Sequence, residues 1–218
     1  KILKKFIEKS LFLEVIFFRK MQPCPSDMFS DQILSALREY NILIISGETG
    51  SGKTTRVPFY VFFSSLLKGK ALICSQPRRL AAISVAKRIA SEAKVTLGTE
   101  IGYLIRFENC TSKKTKIKFT TDGFLLREFI SSPCLDQYSM IIIDEAHERS
   151  SNTDLILSLT KSLAELRPDL KILITSATLE IQRYSVFFDH CPVFCIPGRS
   201  FSVKTFFTKT LKKNFLMC

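Results

Sequence analysis

Apolar residues recur along this chain in short, nearly continuous runs separated by longer stretches of helical periodicity. The runs fall at residues 42–46, 71–75, 117–121, 140–143 and 171–175 and are rich in isoleucine and leucine. Strands with so little polar alternation are buried on both faces, which is the mark of a parallel sheet. Residues 80–93, 123–130 and 153–166 carry the spacing of amphipathic helices between those strands. A further helix is predicted at 30–40, ahead of the first strand, with Ile33, Leu34 and Leu37 on its inner face. Strands alternating with helices require right-handed crossovers, so the pattern predicts an α/β fold: a mainly parallel sheet with helices on both faces. Such sheets bind ligands beyond the carboxyl ends of their strands.

The polar residues that interrupt the pattern gather at those ends. After the first run comes Gly47-Glu48-Thr49-Gly50-Ser51-Gly52-Lys53-Thr54, followed by Thr55, which satisfies the phosphate-loop spacing G-x-x-x-x-G-K-[ST]. A strand that ends in a glycine-rich turn and opens a helix aims backbone N–H groups at a polyphosphate. Lys53 would reach the β- and γ-phosphates, and the Thr54 hydroxyl would hold Mg²⁺. Asp144-Glu145 follows the run at 140–143. In that position Asp144 would hold Mg²⁺ from the side opposite Thr54, and Glu145 would orient or deprotonate the attacking water. His147, Ser176 and Thr178 have no metal-ligand spacing, and taken alone they read as capping and local hydrogen bonding. Gln76-Pro77-Arg78-Arg79 should share the same edge of the sheet.

Composition narrows the class. The 218 residues, 46% hydrophobic, suffice for one α/β domain with extensions. A formal charge of +12, from 32 Lys and Arg against 20 Asp and Glu, points to a polyanionic partner such as nucleic acid. Seven cysteines without framework spacing read as reduced thiols of an intracellular protein. Cys191 and Cys195 lack the second pair or spaced histidine that zinc would need. The apolar run at 11–18 contains Glu14 and is too short to span a bilayer, and no small-residue cleavage site follows it, so no membrane partner is expected. Residues 1–20 read as a helix that docks its apolar face on this domain or on another part of a longer parent protein.

The motifs extend to a family resemblance. The phosphate loop, Asp144-Glu145-Ala146-His147-Glu148-Arg149 and Ser176-Ala177-Thr178 resemble motifs I, II and III of the DEAH-box RNA helicases. Gln76-Pro77-Arg78-Arg79-Leu80-Ala81-Ala82 is similar to motif Ia, and Gly102-Tyr103-Leu104-Ile105-Arg106-Phe107-Glu108 to the hook-turn segment. Thr120-Thr121-Asp122-Gly123-Phe124-Leu125-Leu126-Arg127-Glu128 is similar to motif Ib, and the stretch from Ile196 to Val203 to the segment leaving the first motor domain. The resemblance implies a RecA-like P-loop NTPase domain that hydrolyses ATP with Mg²⁺. It places Lys53, Asp144, Glu145 and His147 in the catalytic set, and Ser176 and Thr178 in coupling. It also lays Arg78, Arg79, Arg106, Thr121 and Gly123 along single-stranded RNA and stacks Arg88 on the adenine. Backbone grip without base reading suits a motor that must move over any sequence.

The phrasing at 108–115 and 167–171 is most similar to the pre-mRNA splicing members, which implies a nuclear protein with spliceosomal partners or a protein activator. Family members use a second RecA-like domain carrying arginine fingers, followed by C-terminal domains. The expected organisation is therefore an N-terminal extension (1–24), the first RecA-like domain (25–200) and the start of a linker (201–218). The alternative is a non-catalytic single-domain remnant that binds nucleotide or RNA. The sequence departs from the family in three places. The usual arginine ahead of the first helix is displaced to Arg19. Arg56 stands for a glutamine after the phosphate loop, and Ser202 stands for a proline. The last two are expected to lie outside the core chemistry.

Overall fold

The computed structural model describes residues 24–177 and 181–197. Eight strands form one sheet in the order β4-β3-β5-β2-β6-β7-β1-β8. The five apolar runs become β1 (Ile42–Gly47), β2 (Ala71–Gln76), β5 (Ile117–Thr121), β6 (Tyr138–Ile143) and β7 (Lys171–Ser176). They pair in parallel, as their continuity predicts. Three strands were not predicted: β3 (Ile101–Ile105), β4 (Glu108–Cys110) and β8 (Val193–Ile196). β3 and β4 form the sheet's antiparallel hairpin at one edge, and β8 joins β1 in parallel at the other.

Helices α1 (Ser30–Glu39), α2 (Lys53–Phe63) and α3 (Arg79–Glu92) cover one face of the sheet. Helices α4 (Asp122–Ser131), α5 (Ser151–Leu166) and α6 (Ile181–Phe187) cover the other. Alternation along each strand divides the core. Leu43 and Ile45 of β1 belong to the core that contains Ile33, Val57 and Ala86, whereas Ile44 belongs to the one that contains Leu125, Ile156 and Tyr184. Both faces are apolar because both are covered, which is why the strands read as runs and not as alternating patterns.

The chain leaves β1 and crosses over β7 and β6 to reach β2, so the carboxyl end of β1 opens a crevice beside β7. Gly47, Gln76, Thr121, Ile143 and Ser176 are the last residues of their strands, so every polar cluster anticipated from the sequence emerges at this one edge. The expected helix at 1–20, the tail at 201–218 and Thr178 lie outside the described residues. Among the described residues, no helix is long and apolar enough to cross a membrane, and the six cysteines are all free thiols.

Candidate functional site

The phosphate loop turns on Gly50 and Gly52, with φ of 85° and 93°, a conformation that L side chains adopt only with strain. Gly52 is also the N-cap of α2, and a Cβ there would come within 2.5 Å of Ser26 Oγ. The loop is braced internally by Ser51 N–H donating to the Glu48 carbonyl (3.1 Å) and externally by Ser26 N–H donating to the Ser51 carbonyl (3.1 Å). Lys53 is buried, at 3% exposure, yet among the described residues its ammonium has only long contacts, to the Glu48 carbonyl at 3.4 Å and to Glu145 Oε1 at 3.8 Å. The buried Ser51 hydroxyl has no hydrogen-bond partner among the described residues. A buried ammonium without close partners is costly, and a phosphate oxygen would satisfy it. Thr55 and Arg56 N–H donate to the Gly52 carbonyl (3.1 and 2.7 Å), and the N–H groups of Lys53 and Thr54, the first two residues of α2, have no carbonyl behind them within the helix. The residues present therefore fit a polyphosphate.

Two strands away, Asp144 continues β6 into the crevice and is 1% exposed. Its Oδ2 accepts from Gln76 Nε2 at 2.6 Å, and its Oδ1 accepts from the Thr175 hydroxyl. Gln76 and Thr175 end or nearly end β2 and β7, so the flanking strands fix the carboxylate from both sides. Sequence reading gave neither residue a role. Their signal was there, since each is a polar residue at the buried carboxyl end of an apolar strand. Mg²⁺ takes few protein ligands, retaining water and phosphate oxygens, and Thr54 with Asp144 could supply them. Among the described residues, no cluster of three or more His, Cys, Asp or Glu is gathered for a metal.

Glu145 sits in the left-handed region at φ 52° and ψ 40°, a conformation that costs a non-glycine residue about 1 kcal/mol or more. That turn swings its carboxylate between Lys53 and His147, whose Nδ1 lies 3.2 Å from Glu145 Oε2. The same Nδ1 accepts the Ala177 N–H at 3.3 Å, which ties the Asp-Glu-Ala-His turn to the segment after β7. Burial raises the Glu145 pKa, the neighbouring Asp144 raises it further, and Lys53 and His147 oppose the shift. Ser176 ends β7 beside β1 and is buried.

Next along the edge lies a cleft of about 420 Å³ that gathers Arg79, Arg106, Thr121 and Gly123. Arg79 donates to the Arg106 carbonyl at 3.1 Å, which fixes the start of α3 against the β3–β4 hairpin. Pro77, Asp122, Phe124, Arg127, Ser150 and Asn152 complete the lining. Of these, Arg127 was findable: it follows Gly123 by one helical turn on α4 and so shares its face. Arg78 does not line this cleft. Its guanidinium turns to Glu148 Oε1 at 3.2 Å, linking the cleft's rim to the Asp-Glu-Ala-His turn. Arg88 lies on the outer face of α3, where its Nε donates to Glu92 Oε1 at 3.1 Å. Arg56, the residue that departs from the family's glutamine, is a buried ion-pair hub beside the phosphate loop.

A mainly parallel eight-stranded sheet, helices on both faces and a phosphate loop at the crevice define a RecA-like ATP-binding motor domain. A family model described as DEAD/DEAH box helicase matches residues 29–185, more than half of the chain. The chain belongs to the DEAD/DEAH box helicase family. Its members use ATP with Mg²⁺ to act on nucleic acid.

Proposed function

We propose that this chain is the first RecA-like motor domain, spanning residues 25–200, of a DEAH-box ATP-dependent RNA helicase. Its proposed setting is the nucleus, where it remodels RNA or ribonucleoprotein during pre-mRNA splicing, with spliceosomal proteins or an activator as partners. The observation that carries the motor reading is continuity. Lys53 contacts Glu145, Glu145 contacts His147, His147 accepts from Ala177, and Arg78 of the rim pairs with Glu148. Nucleotide and nucleic-acid residues are therefore connected through a chain of polar contacts on a single edge. The DEAH assignment rests on His147 in the fourth position of the motif, and the splicing assignment on the resemblance at 108–115 and 167–171.

In this reading, the loop N–H groups and Lys53 bind the polyphosphate and neutralise charge that develops on its oxygens. Mg²⁺ supplies further charge neutralisation there when bound by Thr54 and Asp144. Glu145 holds the attacking water in line and takes its proton, and His147 beside it accepts the Ala177 N–H and so ties this turn to the segment after β7. Arg79, Arg106, Thr121 and Gly123 grip phosphates and sugars of a single strand, with Ser176 and Thr178 relaying the nucleotide state.

The test is competition between matched RNA and DNA oligonucleotides across a salt series. RNA should be preferred, and each lost phosphate contact should lower the log–log slope by about 0.7. Arg79→Ala with Arg106→Ala should flatten the slope for every sequence. A loss confined to one base composition would replace backbone grip with base readout, and a DNA preference would overturn the RNA assignment. Depletion of the protein in cells should raise unspliced transcripts, and unchanged splicing would remove that part of the proposal.

A further inference from the structure

Arg56 lies in the first turn of α2, three residues after Lys53, and is 1% exposed. A buried guanidinium must be matched by opposite charge, and two carboxylates from outside α2 meet it. On one side, Arg56 Nε is 3.3 Å from Asp27 Oδ1. Asp27 is itself fixed by the Tyr60 hydroxyl at 2.5 Å and by the Cys24 N–H at 2.6 Å. On the other side, Arg56 donates to Glu92 Oε2 at 3.2 Å, while Glu92 Oε1 accepts from Arg88 at 3.1 Å. Glu92 is thus shared, one oxygen to each arginine.

Helix stability does not account for Glu92. It is the last residue of α3, where a negative charge opposes the helix dipole. It also follows Arg88 by four residues, the less favourable order for an ion pair within a helix. Its position is explained by bridging α2 to Arg88. A carboxylate anchored from behind by a buried, immobile arginine presents its second oxygen at a fixed place. The arginine bound to that oxygen loses rotamer freedom before any ligand arrives.

We propose that Arg56 is a positioning residue for the nucleotide base: through Glu92 it holds the Arg88 guanidinium in the orientation that stacks on the purine. The inference rests on Arg88 meeting the base, and it makes the phosphate loop's own helix the source of that alignment. Binding of triphosphate would then be matched to base contact through one rigid turn of α2.

Calorimetry on the 218-residue chain tests this with two ligands, Mg-ATP and Mg-tripolyphosphate, the second lacking any base. Arg56→Gln and Glu92→Gln should each weaken Mg-ATP binding about tenfold, the size of one charged hydrogen bond, and leave tripolyphosphate affinity unchanged. Arg88→Ala should lose at least as much, and adding Arg56→Gln to it should cost nothing further, because both act through one contact. A merely structural Arg56 would lower thermal stability and both affinities together, and that result would overturn the proposal. Additive losses, or full ATP affinity in both glutamine variants, would do the same. If Arg56→Gln fails to fold, Glu92→Gln, which keeps the side chain's shape and removes its charge, carries the test alone. The outcomes also separate this inference from the reading beneath it. Lys53→Ala must weaken both ligands if the nucleotide site is correct. Arg88→Ala without effect removes the base contact and this proposal with it, whereas an effect at Arg88 alone removes only the link through Arg56.

Discussion

At the scale of single residues, Glu145 carries the sharpest expectation. It is held in a left-handed turn with its carboxylate between a lysine and a histidine, and burial raises its pKa. Glu145→Gln should keep Mg-ATP affinity while hydrolysis is lost, since it preserves shape and removes the base. Because the base acts ionised and its pKa is raised, hydrolysis should fall as pH drops at a pH above the ordinary glutamate range of about 4.3. Single-turnover rates across pH, measured on a protein that includes the proposed second motor domain, check this. An acid limb at the ordinary value, or a Gln variant at full rate, would show that Glu145 does not position the water. The chemistry was largely legible at this scale, because Lys53, Thr54, Asp144 and Glu145 lie in short contiguous motifs. Their partners were not. Gln76 and Thr175 meet Asp144 only once three strands are laid side by side, and Arg56 meets Glu92 only when α2 packs on α3.

At the scale of elements, legibility followed burial. β1, β2, β5, β6 and β7 were readable because covering both faces demands an apolar run, whereas β4 and β8 are short edge strands with exposed positions, and β3, buried between β4 and β5, is a short run interrupted by Gly102. Gly102 of β3 is required by pairing: a Cβ there would collide with the Cys110 carbonyl of β4. Gly102→Ala should cost about 1–3 kcal/mol, the usual penalty of overpacking. It should also weaken RNA binding by shifting Arg106 at the hairpin turn, and unchanged affinity with lowered stability would separate the hairpin from the cleft. Asp122 joins two helices. It opens α4, accepts from the Thr153 hydroxyl of α5 at 2.6 Å, and is buried, which raises its pKa. A carboxyl with a raised native pKa binds more protons folded than unfolded, so its contribution to stability is lost as pH rises through the native value. Asp122→Asn removes that titration. Its stability relative to the unmutated protein, from urea unfolding, should therefore increase with pH from about 4 and then level off. A flat difference would mean that the carboxyl is not desolvated.

At the scale of the molecule, the proposed function makes the sheet edge one half of a cleft. Lys53, Glu145 and the arginine-lined groove all face outward from the carboxyl ends of the strands, where a second RecA-like domain would close over them. Family resemblance assigns the arginine fingers to that second domain. Such a finger is worth about 10³–10⁵ in rate in related phosphoryl-transfer sites. Residues 1–218 alone should therefore bind Mg-nucleotide, hydrolyse it very slowly and respond little to RNA. RNA accelerates such a motor by drawing two walls together, and one wall cannot close. Unwinding should be undetectable for the same reason, because translocation requires two domains moving against each other. The control is concentration. If copies of this chain supplied fingers to one another, activity per molecule would rise with protein concentration and vanish on dilution. RNA-stimulated hydrolysis at a full motor's rate, undiminished at dilution, would make this single domain a self-sufficient enzyme and would require a finger from within residues 1–218.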